Sequence, residues 1–151
     1  MVVGVGNEFL RDDAAGIVAA IRIRELAGDQ LDVVIDRSGG SGLPGLWTAR
    51  AQVVIIDAMS SGEPAGTVLR FDLRRSAPAA AGFRSSTHTL GLLDAVNLDR
   101  VLGQLPCNVV AFGVEGKEFT PGTGLSPEVA GAVENVVAGV QRECGAQRHR
   151  E

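Results

Sequence analysis

The sequence contains no tyrosine, and its aromatic residues are one tryptophan and five phenylalanines. Eighteen acidic residues outnumber 14 basic ones, for a formal net charge of -4, and no basic run is present. An acidic chain without an aromatic platform is poorly suited to binding nucleic acid. Outside the alanine-rich stretches no purely apolar run exceeds four or five residues, far below the roughly 18 that span a bilayer. The two cysteines, Cys107 and Cys144, form no C-x-x-C pair and have no histidine beside them, so they read as free structural thiols. The start, Met-Val-Val-Gly-Val-Gly-Asn-Glu, has neither the basic opening nor the long apolar stretch of a secretion signal. The expected location is cytoplasmic.

Glycine is what the chain has in surplus: 20 of 151 residues, roughly double the average usage of about 7%. A mean hydropathy of +0.16 with low net charge argues against disorder, so the glycines belong in tight turns and close backbone approaches. At this length about two-thirds of the unfolded surface is buried on folding, enough for a core without disulfide or metal. A single domain over residues 1–144 is expected, followed by a frayed tail over 145–151, with a monomer as the default state.

Short apolar runs alternate with segments of helical period, the pattern of an α/β fold whose mostly parallel sheet is covered by helices on both faces. Five strands are predicted, at Met1–Val5, Leu31–Ile35, Val53–Ile56, Thr67–Leu73 and Asn108–Val114. Thr67–Leu73 follows too short a connection for a crossover helix, so it should run antiparallel at an edge. Helices are predicted at Asp13–Ala27, Pro44–Arg50, Leu90–Leu102 and Ser126–Glu143. In the first, Ile17, Ala20, Ile21 and Leu26 form the expected apolar stripe. Ser126-Pro127-Glu128 reads as an N-cap followed by proline in the first turn, and Cys144-Gly145 as the stop. Ala77–Phe83 reads as a mobile loop.

In open α/β sheets ligands bind beyond the carboxyl ends of the strands. The residues there are Gly4-Val-Gly-Asn-Glu-Phe-Leu-Arg-Asp-Asp13, Asp57-Ala-Met-Ser-Ser-Gly, Ser85-Ser-Thr-His88-Thr and Glu115-Gly116. The G-x-G of the first loop suggests a dinucleotide fingerprint. Phe9 occupies the third glycine position, and Asp12 and Asp13 would repel a pyrophosphate at the helix start. Each acid also has a plain structural role open to it. Asp12 suits an N-cap, Asp13 favours the helix dipole, and Asp57 could cap a turn through Ser60 or Ser61. His88 could be a capping or buried histidine. Taken together, Asp13, Asp57 and His88 would offer two carboxylates and one imidazole over one sheet edge. That set suits a divalent first-row metal whose sphere substrate or water completes. Lacking sulfur ligands it would hold metal loosely, leaving the site empty or open to another divalent cation.

At these residues the chain resembles the hydrogenase maturation proteases, which trim the C-terminal extension from nickel-iron hydrogenase large subunits. The matching motifs are Gly4-Val-Gly-Asn-Glu-Phe-Leu-Arg-Asp-Asp13-Ala-Ala-Gly16, Val54-Ile-Ile-Asp57-Ala, Pro64-Ala-Gly-Thr67, Ser86-Thr-His88-Thr-Leu-Gly91-Leu and Gly124-Leu-Ser-Pro127-Glu-Val. They stand in family order across nearly the whole chain. The resemblance implies a three-layer α/β/α sandwich and a nickel-recognising site of Asp13, Asp57 and His88, as both metal ligands and catalytic residues. It implies a nickel-dependent, aspartic-type endopeptidase that acts on the large-subunit precursor after nickel insertion, the nickel being carried by the substrate. One departure is the second loop, Asp36-Arg-Ser-Gly-Gly-Ser-Gly42, where many relatives have D-G-G-T-x-G; Asp36 reads as a loop acid near the site, flanked by flexible Gly39 and Gly40.

The rival reading is a non-enzymatic module that binds or chaperones the hydrogenase subunit. A serine mechanism through Ser85 or Ser86 lacks an evident oriented base. Phe9, Leu10 and Trp47 offer apolar surface to a substrate, although Trp47 could equally pack its short helix onto the sheet. With at least eleven of the 20 glycines assigned to loops at or near the functional edge, the expected cleft is shallow and mobile-walled.

Overall fold

The computed structural model describes residues 1–75 and 91–147. Five strands, β1 (Val2–Val5), β2 (Val33–Asp36), β3 (Gln52–Met59), β4 (Val68–Asp72) and β5 (Asn108–Glu115), form one sheet in the order β2-β1-β3-β5-β4. The first three and β5 run parallel, and β4 pairs antiparallel with β5 at the edge. Helices α1 (Ala15–Ala27), α2 (Leu43–Trp47), α3 (Leu92–Leu102) and α4 (Pro127–Gln147) complete the fold, with 3-10 turns at Arg11–Ala14 and Gly28–Gln30. Among the described residues no helix is long and apolar enough to cross a membrane.

The central strands are β-branched runs buried on both faces, as parallel strands require. Side-chain alternation sorts them into two cores. Val54, Ile56, Ala58, Val110, Phe112 and Val114 pack against α1 and α4 through Ala15, Ala19, Ile23, Val136 and Val140. Val3, Val5, Val53, Ile55, Val109 and Ala111 pack against α2 and α3 through Leu43, Trp47, Leu92, Ala95 and Val96. The result is the three-layer α/β/α sandwich.

Several local expectations need correction. The buried stripe of α1 is Ile17, Ala19, Ala20 and Ile23; Ile21 and Leu26, assigned to it from the sequence, are exposed. The strand β3 continues to Met59, so Asp57 sits inside it and not in the loop beyond. The helix α4 passes through Gly145 to Gln147, because helical hydrogen bonding continues where a glycine was read as a stop. Trp47 is fully buried and its indole Nε1 donates to the buried carboxylate of Asp99, which removes it from any substrate-facing surface. The predicted loop Ala77–Phe83 and residues 85–90, His88 among them, lie outside the described residues.

Candidate active site

Asp57 is 2% exposed and belongs to the odd-numbered row of β3, with Val53 and Ile55, which faces α2 and α3. Its register partner on β5 is Gly113, so that strand places no side chain beside it. On the other side, β1 pairs with β3 up to Gly4–Ile56, which brings Val5 alongside Asp57 one position later. The carboxylate therefore stands near the carboxyl end of the central strand β3, between a valine of β1 and a glycine of β5.

Asp13 reaches the same edge from the 3-10 turn after β1. Two glycines make that possible. A Cβ on Gly6 would lie 2.1 Å from the carbonyl oxygen of Asp13, and one on Gly16 would lie 2.3 Å from the carbonyl oxygens of both Val5 and Ile56. Glycine lets the turn and the start of α1 sit directly on the ends of β1 and β3. Asp13 is half-buried and begins no helix, since α1 starts two residues later at Ala15. The G-x-G pair thus serves close packing, as Gly4 also does against Gly16 and Ala20.

Asp36, at the end of β2, organises the second loop. Its Oδ1 accepts the Ser38 amide at 2.9 Å and the Ser38 hydroxyl, and its Oδ2 accepts the Gly40 amide at 2.8 Å. Gly40, at φ +101°, presses against the backbone of Gly91 and Leu92, where a Cβ would come within 2.9 Å of Leu92 atoms. Leu92 is buried in the α2–α3 core, the same cluster as Val5. Gly91, three residues after His88 in sequence, thereby stands on the face of the sheet that carries Asp57.

Two further buried acids were not recognised from the sequence for what they do. Asp12, read there as an N-cap for its own helix, caps the opposite end of the chain. Its carboxylate accepts the amides of Lys117 (2.8 Å), Glu118 (2.9 Å) and Ser126 (2.7 Å) and the Ser126 hydroxyl (2.9 Å). Burial pushes the Asp12 carboxyl up, but the hydrogen bonds from Ser126, Glu118 and Lys117 outweigh it and hold the group below its ordinary value. Glu115, at the end of β5, accepts the Ser61 amide at 2.9 Å, the Ser61 hydroxyl at 2.7 Å and the Gly62 amide at 3.1 Å. The Ser61 amide, offered to Asp57 in the sequence reading, is bound by Glu115. The only sequence signal is a carboxylate closing a strand for Glu115 and one in the loop after a strand for Asp12.

The loops at this edge are thus pinned by Asp12, Asp36 and Glu115, where the glycine content had suggested mobile walls. Across the top, Arg37 Nε donates to Glu8 Oε1 at 2.9 Å, tying the first loop to the second. The Glu8 carboxyl is lowered chiefly by that hydrogen bond. Phe9, 70% exposed, projects from the first loop, which is zipped to the last by Gly122 N to Phe9 O at 2.9 Å and Arg11 N to Gly122 O at 3.1 Å.

An acid near the end of β3 and another in the turn after β1 can ligate a cation or relay a proton. Among the described residues, no three His, Cys, Asp or Glu side chains are grouped as metal ligands. The structure brings Asp13 and Asp57 to one edge, and the third predicted residue, His88, is outside the described part. The hydrogenase maturation protease family model matches residues 29–143, a span that includes Asp57 and His88. The chain belongs to the hydrogenase maturation protease family. That places it among the proteases of hydrogenase maturation.

Solved relatives agree. Hydrogenase maturating endopeptidase HybD from E. coli is 29% identical, with a TM-score of 0.75, covering 95% of this chain and 92% of that one. An endopeptidase from Escherichia coli solved in solution shares the fold at 24% identity and a TM-score of 0.79, covering 95% and 93%. The [NiFe] hydrogenase maturation protease HybD from Thermococcus kodakarensis does so at 24% identity and a TM-score of 0.66, covering 93% and 95%. No curated protein matches the chain.

Proposed function

We propose that this protease removes the C-terminal extension of a nickel-iron hydrogenase large-subunit precursor after nickel insertion, using Asp13, Asp57 and His88 to ligate the nickel carried by that substrate. The observation that carries the reading is the placement of Asp13, in the turn after β1, and Asp57, near the end of β3, at one edge of the sheet in a chain of this family. Supporting it, the chain three residues after His88 packs on the face of the sheet to which Asp57 belongs. Two carboxylates and an imidazole leave coordination positions for the substrate's own ligands, so the protease would engage only a precursor already carrying metal. Substrate-bound nickel would polarise the scissile carbonyl or acidify a water, and one of the carboxylates would then act as base. The work is cytoplasmic, and the enzyme acts as a monomer that releases its product.

The test is the mass of nickel-loaded precursor after incubation with the wild type and with Asp13→Asn, Asp57→Asn and His88→Ala variants. The extension should be lost with the wild type alone. Full processing by any of the three variants removes that residue from the ligand set. Binding without any mass change, even by the wild type, would favour a docking module over a protease.

A further inference from the structure

Asp12 lies next to a proposed ligand, and a fully buried carboxylate is costly unless its bonds are complete. Here they are complete, and all come from one distant segment. The amides of Lys117, Glu118 and Ser126 and the Ser126 hydroxyl converge on it at 2.7 to 2.9 Å. Its own amide donates to the carbonyl of Glu118 at 3.0 Å. At 0% exposure the side chain has no path to a substrate.

Asp12 and Asp13 are consecutive members of one 3-10 turn. The turn is seated against the sheet through the 2.1 Å close approach of a Gly6 Cβ position to the Asp13 carbonyl. On its other side the only side-chain anchor within the turn's buried residues is the Asp12 carboxylate, since Ala14 is the other one. The buried hold of the turn on the β5–α4 connection therefore passes through Asp12, while at the surface Arg11 adds an amide bond to Gly122, a guanidinium bond to the Thr123 carbonyl at 3.5 Å and an ion pair with Glu118 at 3.4 Å.

We propose that Asp12 is a positioning residue that sets Asp13 against Asp57 by clamping the first-loop turn to the β5–α4 connection. This rests on the reading of Asp13 and Asp57 as substrate-nickel ligands. The clamp makes the geometry of the acid pair depend on residues 117–126, more than a hundred positions away in the chain. Releasing it leaves the substrate-docking surface in place while the ligand geometry relaxes. Misplacement on the 1 Å scale costs on the order of 100-fold in turnover.

The experiment measures kcat and KM for cleavage of nickel-loaded precursor, together with Tm, for wild type, Asp12→Asn, Asp13→Asn, Ser126→Ala and Trp47→Phe. Trp47→Phe strips the buried Asp99 of its indole partner and is a destabilised control remote from the edge loops. Asp13→Asn should be inactive. Asp12→Asn should lose about 10- to 100-fold in kcat with KM within about twofold, and Trp47→Phe should keep its kcat despite a lowered Tm. Should Asp12→Asn not fold, Ser126→Ala, which removes one bond of the four, carries the test: a reduced kcat at unchanged KM supports the clamp, and an unchanged kcat overturns it. Wild-type kcat in Asp12→Asn beside an inactive Asp13→Asn overturns the clamp alone. Wild-type kcat in Asp13→Asn overturns the site reading and the clamp with it.

Discussion

The carboxylate of Asp12 and Ser126 are joined twice: Oδ1 accepts the Ser126 amide at 2.7 Å and Oδ2 accepts its hydroxyl at 2.9 Å. The contact closes a span of 114 positions and fixes the start of α4 to the end of the first loop. Ser126→Ala removes only the hydroxyl bond and should cost about 1 kcal/mol, whereas Asp12→Ala strands the donors of Lys117, Glu118 and Ser126 at about 1–3 kcal/mol for each one left unsatisfied. Urea midpoints at neutral pH measure both. Equal losses in the two variants would contradict the assignment of Asp12 as the hub.

Asp12 also sets an acid limit. Burial raises its carboxyl, and the converging donors of Ser126, Glu118 and Lys117 lower it further than burial raises it. Glu8 is lowered chiefly by the Arg37 hydrogen bond, and Glu128 by the one from Lys117. A depressed native value means the unfolded chain takes up protons first, so the stabilisation is complete above the unfolded value of about 4. It is lost as pH falls from there through the lower native values. Stability should be flat near neutrality and decline steeply in acid, and the decline should be shallower in Asp12→Asn. An identical acid slope in that variant would contradict the origin of the effect.

Glycine substitutions should separate close packing from mere composition. In Gly16→Ala the new methyl meets the carbonyl oxygens of Val5 and Ile56 at 2.3 Å; backbone on both sides cannot yield, so the start of α1 must lift, at about 1–3 kcal/mol. Processing should fall with it, because Asp13 precedes that helix. Gly131→Ala, inside α4 with nothing within 4 Å of the new Cβ, should instead be stabilising by about 0.5–1 kcal/mol. Thermal melts of the two variants check the pair, and equal effects would contradict it.

The sheet was legible because β-branched runs such as Val53–Ile56 are dictated by burial on both faces, and the short Ser61–Gly66 connection excludes a parallel β4. The face of α1 was misread because Ile21 and Leu26 satisfy a helical stripe that the sheet does not cover: Ala19 and Ile23 lie against it instead. Trp47 was ambiguous because only the fold supplies Asp99 as its partner. Asp13 and Asp57 could be singled out as acids near strand ends. The role of Asp12 could not, since its partners are more than a hundred residues away and a local capping role fits the same letters. Where the glycines lie was foreseeable, but not that carboxylates pin the loops they occupy.

In the proposed function Asp57 and substrate nickel act together. The most direct measurement is the mass of the large-subunit precursor after incubation, with nickel-loaded and nickel-free precursor each given wild type and Asp57→Asn. The C-terminal extension should be lost only where wild type meets nickel-loaded precursor. Equal cleavage of the nickel-free precursor, or cleavage at wild-type rate by Asp57→Asn, would contradict it.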